Sequence, residues 1–267
     1  MKTRILPVFF VVFSLFFVAC PGTSNELVDL STIQNFTLTI PTAEEEATLV
    51  MGNLRQISWF DSMGYHITLP NTALFNDAIR KLRSSGSLTS QEEAQIRTHY
   101  INDVYDPAHY EPSFNTLARA ARDADPHIDS LRRYESLWGF FIPNRYRIYM
   151  TQYGPGGSYN SNAGAMYIKV DRNNRWGRGH GAPMTVLLHE AVHIGIENNI
   201  IQRNNIPQWT KERIVDSFML RQFGTRVLPG YSLQRTPPEY PIDSIFQNSD
   251  VLDKLPDYVS EFMRQNR

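Results

Sequence analysis

A single cysteine, Cys20, stands in 267 residues, so no intramolecular disulfide can staple this chain. Charge of one sign is also missing. Lys and Arg total 26 against 27 Asp and Glu, for a net charge of -1. With no cationic surplus to displace counterions from phosphates, nothing argues for a nucleic-acid partner. Internal repeats and low-complexity tracts are absent, and hydrophobic content is 42%, which gives a globular chain enough apolar material for one sizeable core. Long apolar runs are missing too, except at the start.

That one run is informative. Lys2 and Arg4 precede an apolar stretch from Ile5 to Ala19, interrupted only by Pro7 and Ser14. Fifteen helical residues span about 22 Å, short of the roughly 30 Å hydrocarbon core, so the stretch reads as a secretory signal rather than a membrane span. It ends in Phe17-Val18-Ala19-Cys20, then Pro21-Gly22. This resembles the lipobox of bacterial lipoproteins, in which small residues precede the lipidated Cys; Phe17 departs from the usual Leu. The resemblance implies a signal peptide over 1–19, cleavage before Cys20 and a lipid on its thiol. It also implies a domain held to a membrane at the bacterial cell envelope, facing the periplasm or exterior. Acyl chains contribute about 0.8 kcal/mol per buried CH₂, so two or more hold stably.

Residues 20–35 are polar and non-periodic, as a tether is. Phe36 to Ile40 alternates like a short strand. The stretch 36–140 is otherwise mainly helical in pattern. One runs from Ala43 to Trp59, with Glu44, Glu45 and Glu46 in its first turn. A second is capped by Asn71, and a third by Ser90 with Glu93 at capping-box spacing. A fourth opens at Ser113, breaks at Asp125-Pro126 and resumes to Trp138. From 141 to 267 the register changes. Tyr146–Met150 and Ala165–Val170 read as strands around a Gly- and Asn-rich loop, Tyr153 to Gly164. A helix then begins at Pro183 and another covers Gln208 to Phe223. The fold class expected is α+β.

The helix from Pro183 carries His189-Glu190-Ala191-Val192-His193. Residues four apart lie one turn apart on one helix face, about 6 Å, where two imidazoles can share one Zn²⁺. Glu190 then flanks the ion and can act as general base on the water the metal activates. A catalytic zinc needs a third protein ligand and an open fourth position. Two glutamates compete. Glu197 shares the face of His189 and His193, but on an unbroken helix it lies about 12 Å from His189, so it needs a break at Gly195. Glu212 lies 19 residues after His193, with Asp216 one turn further on the same face.

This arrangement resembles the gluzincin, thermolysin-like zinc metallopeptidases over roughly residues 184 to 217. There the third ligand is a Glu on a later helix, and an Asp four residues on orients the first His. The resemblance implies Glu212 as ligand, Asp216 behind His189, Zn²⁺ as cofactor and a peptide or protein substrate. It also implies a zincin-like core with a small sheet, in which Ala165–Val170 is the strand pairing with substrate. The metzincin pattern fails, since Asn199 stands where its third His belongs. A Tyr or His stabilising the oxyanion is sought among His180, Tyr231 and Tyr240. The alternative reading is a non-catalytic envelope lipoprotein with a structural metal site or a binding scaffold.

Overall fold

The computed structural model describes residues 28–234 and 241–266. The expected signal peptide, the lipidation site Cys20, most of the tether and Tyr240 lie outside them. Among the described residues no helix is long and apolar enough to cross a membrane.

The architecture is α+β, helices around one small mixed sheet. After β1 (Phe36–Thr39) come α1 (Ala43–Arg55), α2 (Ile57–Met63), α3 (Ala73–Ser85) and α4 (Ser90–His99), the last continued by a π-helical turn over Tyr100–Val104. Then follow α5 (Glu111–Trp138), β2 (Tyr146–Thr151), β3 (Gly157–Asn160), β4 (Ala165–Lys169), α6 (Pro183–Ile196), α7 (Gln208–Gln222), α8 (Gly224–Val227) and α9 (Leu255–Gln265). The sheet order is β1-β2-β4-β3, with β1, β2 and β4 parallel and β3 antiparallel to β4.

Two of these facts correct sequence-based expectations about the sheet. A four-residue strand, β3, forms inside the stretch read as a loop. Strand β4, expected to offer its edge to substrate, is flanked on both sides by β2 and β3. The free edge next to the motif helix therefore belongs to β3.

Buried side chains fall into two clusters. The larger joins the inward face of the sheet (Tyr146, Ile148, Met150, Met166, Ile168) to α5, α6 and α7. The smaller is built by α1 to α4 around Val50, Leu54, Phe75 and Tyr100, and forms a helical lobe inserted between the paired strands β1 and β2. β1 and α5 thus belong to the same buried cluster as the motif helix.

Pro126 does not break α5. A prolyl ring in a helix costs about 3 kcal/mol. Against it stand Leu117, Ala121, Ala124, Ile128 and Leu131, all fully buried, each large apolar side chain contributing about 1.5–3 kcal/mol. The side chain of Asp125 also accepts the backbone N–H groups of Gln34 (2.8 Å) and Asn35 (2.9 Å), locking the helix to the chain leading into β1. The caps of α3 and α4 fall on Thr72 and Thr89, one residue from the expected Asn71 and Ser90. The stretch from Ala43 to Trp59 divides at Gln56 into α1 and α2.

The lobe meets the core across a buried carboxylate. Glu46 on α1 is 1% exposed and accepts from Thr151 Oγ1 (2.9 Å), the Gln152 backbone N–H (2.8 Å) and the Tyr110 hydroxyl. Burial raises its pKa above the ordinary 4.5. The folded chain therefore holds this proton more tightly than the unfolded one. The associated stabilisation is complete below the unfolded pKa and is lost as pH rises through the raised folded value. Glu46→Gln keeps the shape, and the Tyr110 hydroxyl can reverse to accept from the new amide. We expect its stability relative to wild type to rise between pH 5 and pH 8 in urea denaturation; a parallel pH dependence in the two proteins would contradict this.

Candidate metal centre

Helix α6 is buried almost all round, from Leu187 to Ile196, between α5, α7 and strands β3 and β4. Pro183 opens it in the first turn, where a prolyl ring suits the helix. Gly195 does not break it; the ring of Phe140 lies where a Cβ would stand. Beyond Ile196 the chain continues as a π-helical segment, Glu197–Gln202.

His189, His193 and Glu212 converge. His189 Nε2 and His193 Nε2 are 3.0 Å apart, and Glu212 Oε2 lies 3.2 Å from the latter and 3.4 Å from the former. A tetrahedral ion with bonds of about 2.0–2.1 Å sets its ligands about 3.3 Å apart, so this triangle has the dimensions of three corners of such a site. The three residues are buried and form a group able to hold a metal ion. Electrostatics agree. Glu190, Glu212 and Asp216 are buried around the two imidazoles, a cluster of carboxyl groups that a divalent cation offsets. Burial alone would lower the His189 pKa, yet Glu212, Glu190 and Asp216 raise it to about 8. Burial likewise acts to raise the Glu212 pKa, but His193 and His189 hold that carboxyl well below the usual range.

Asp216 is fully buried behind His189, but its link is indirect. Its Oδ1 is 3.8 Å from His189 Nδ1, and the hydroxyl of Tyr231 lies between them. With Nε2 facing His193 and Glu212, His189 Nδ1–H donates to Tyr231 Oη (3.0 Å), whose O–H donates to Asp216 Oδ1 (2.6 Å). The backbone N–H of Gln234 donates to Oδ2 (2.6 Å). This relay fixes the His189 tautomer. It also gives Tyr231 a place behind the ligand, with its proton committed to Asp216. His180, His189 and Asp216 form a second carboxylate–imidazole group. Tyr231 again lies within it, its ring 4.1 Å from that of His180, and His180 Nε2 is bonded to the carbonyl of Ser232.

His193 is held differently. Its Nδ1 is buried without a hydrogen-bond partner, and the ring of Tyr159 on β3 stacks on it at 4.8 Å and 15°. Tyr159 O–H donates to Glu197 Oε2 (2.6 Å) and accepts from Lys211 Nζ (3.0 Å). Glu197, the rival ligand, is thereby engaged away from the histidines, and the metal-capable groups among the described residues do not include it.

Glu190 is 5% exposed and forms no hydrogen bond or ion pair among the described residues. Burial raises its pKa. It lies against Gly157 at the start of β3, where any Cβ would overlap Glu190 Oε1 and crowd Val186. The free strand edge and the unpartnered carboxylate are thus neighbours.

Two contributors carry no sequence signal. Gln208, one turn before Glu212 on α7, donates to its outer oxygen Oε1 (2.7 Å). Tyr65, from the chain after α2, reaches the same oxygen at 3.5 Å. Only the i, i+4 spacing of Gln208 to Glu212 was open to a sequence reading. Comparison with protein-family models, with curated proteins and with solved structures gives no match to this chain.

Proposed function

We propose that this protein is a gluzincin-like zinc peptidase with its active site at His189, Glu190, His193 and Glu212, working at the bacterial cell envelope on a lipid anchor at Cys20. The observation that carries the reading is the three-atom triangle of two imidazole nitrogens and one carboxylate oxygen beside an unpartnered buried Glu190. Nitrogen and oxygen donors at these spacings suit Zn²⁺. When bound, zinc supplies Lewis acidity, polarising a carbonyl and lowering the pKa of water towards about 7.

The chain's own residues do the rest. Glu190 takes the proton of the attacking water and returns it to the leaving amine. A buried carboxylate with a raised proton affinity and no competing donor suits both transfers. Strand β3 offers an unpaired backbone edge, on which an extended peptide adds as a further strand. Gly157 keeps that edge close to Glu190. The Tyr231–Asp216 relay and the Tyr159 stack keep the two histidines from turning.

A purely structural metal site is the second reading. A closed site would surround its ion with four protein donors, whereas the group here provides three. The test uses the chain from residue 24 onward. One zinc per chain is expected, together with hydrolysis of an unstructured peptide that chelation abolishes and zinc restores. Bound zinc without hydrolysis favours the structural reading, and no zinc defeats both.

A further inference from the structure

The helical lobe enters the metal centre through one side chain. At the end of α2, Gly64 takes a left-handed turn (φ 73°) and Tyr65 N–H closes on the carbonyl of Phe60 (2.9 Å). The chain then pairs with the core through Thr68 and Gly154, N–H to carbonyl in both directions at 3.0 and 2.7 Å. Between these fixed points the Tyr65 ring is sandwiched, 5.8 Å from Trp59 at 22° and 5.0 Å from Trp209 at 17°. Trp209 and Glu212 are three apart on α7 and share a face, so the sandwich delivers the phenol to the metal ligand. Stacking restrains the ring and leaves the hydroxyl as its working end.

We propose that Tyr65 is a catalytic residue, donating its phenolic hydrogen to the oxygen of the scissile carbonyl, so that the N-terminal lobe forms part of the reacting centre. The proposal rests on the peptidase reading. Water adds through its oxygen to the carbonyl carbon and gives a proton to Glu190. The carbonyl π pair moves onto oxygen, where the Tyr65 O–H bonds to the new negative charge. When that pair returns, the C–N bond breaks and Glu190 passes the proton to the amine nitrogen. Tyr65 keeps its proton throughout.

Its competitors among the described residues are committed elsewhere. Tyr231 O–H is given to Asp216 (2.6 Å), Tyr159 O–H to Glu197 (2.6 Å), and His180 Nε2 is bonded to the Ser232 carbonyl. Gln234 Nε2 approaches Glu212 Oε2, the oxygen between the imidazoles, at 3.4 Å and so bears on the ligand itself. Tyr65 accepts a sound bond from Gln208 (2.9 Å), while its own O–H reaches Glu212 Oε1 only at 3.5 Å, the outer limit for such a bond. That weak contact is easily exchanged for a charged oxygen. His180, the sequence-based candidate for this role, is expected to be dispensable.

Tyr65→Phe keeps the ring and the sandwich and removes only the hydroxyl. Zinc content, kcat and KM are compared with wild type, and calorimetry measures binding of a peptide phosphonate, whose anionic tetrahedral group mimics the reacting centre. Binding of the parent peptide is measured in the Glu190→Gln background, with and without Tyr65→Phe. Zinc content, KM and peptide affinity are expected to hold, while kcat and phosphonate affinity each fall by about 10²–10³-fold. Equal phosphonate affinity in the two proteins overturns the proposal. So does loss of zinc from Tyr65→Phe, which would make the hydroxyl a support for Glu212, and so does a zinc-loaded wild type that binds no phosphonate. The peptidase reading fails separately, if chelation leaves wild-type hydrolysis unchanged.

Discussion

Glu190→Gln is expected to lower peptide hydrolysis by about 10²–10⁴-fold while leaving zinc content unchanged. The substitution is nearly isosteric, so the fit against Gly157 and Val186 survives. It disturbs no hydrogen bond or ion pair among the described residues, because the carboxylate has none. What it removes, on the proposed peptidase reading, is the group that accepts the proton of the attacking water. Thermal stability should equal or exceed wild type, since an amide costs less to bury than a carboxylate whose proton affinity is already raised by burial. The combination is diagnostic. A structural carboxylate would cost stability when neutralised and leave any hydrolysis untouched, whereas a general base does the reverse. Hydrolysis undiminished with zinc in place would move the base elsewhere and leave the burial of Glu190 without a reason.

The sequence pattern exposed the parts of this site that are local. His189 and His193 share a face because four residues nearly complete a helical turn, and the same spacing puts Glu212 and Asp216 together on α7. Strands β2 and β4 stood out through their β-branched and aromatic content. Strand β3 did not, because Gly157-Ser158-Tyr159-Asn160 has no apolar alternation and is a strand only by virtue of pairing with β4. With β3 hidden, β4 passed for the edge. The α4 cap shows a different ambiguity: Thr89-Ser90 and Glu92-Glu93 satisfy capping-box spacing in either register, and the structure takes the first. Tyr65 was invisible because its approach to Glu212 depends on the lobe docking across the core, which sets its ring on Trp209. Tyr231 stood out as a candidate for the oxyanion, and only the packing shows that its hydroxyl lies behind His189. Glu197 had helical spacing in its favour and lost to geometry, since the side chain turns to Tyr159 and Gln202.

Glu212→Ala is expected to abolish zinc binding at concentrations that saturate wild type, and hydrolysis with it. Losing a residue that merely orients a ligand costs roughly 10–100-fold in metal affinity, and removal of the ligand itself should exceed that. The loss is not made up by neighbours: Asp216 is engaged with Tyr231 and the Gln234 N–H, Glu197 with Tyr159, and Glu190 offers no atom to the metal-capable group. Two imidazole nitrogens 3.0 Å apart then face each other without the Glu212 carboxylate that bridges them, and the amide of Gln208 loses its acceptor. Apo Glu212→Ala should therefore melt below apo wild type, while zinc raises the melting temperature of wild type alone, since a ligand stabilises only the form it binds. Asp216→Asn makes the milder contrast, with affinity falling in the 10–100-fold range because Tyr231 still touches His189. Glu197→Ala supplies the decisive one. It shares a helix face with both histidines yet donates nothing to the triangle, so its loss should leave zinc stoichiometry at one. If zinc is instead retained in Glu212→Ala and lost in Glu197→Ala, the ion is held by the motif helix and its π-helical extension, and α7 has no part in the metal site.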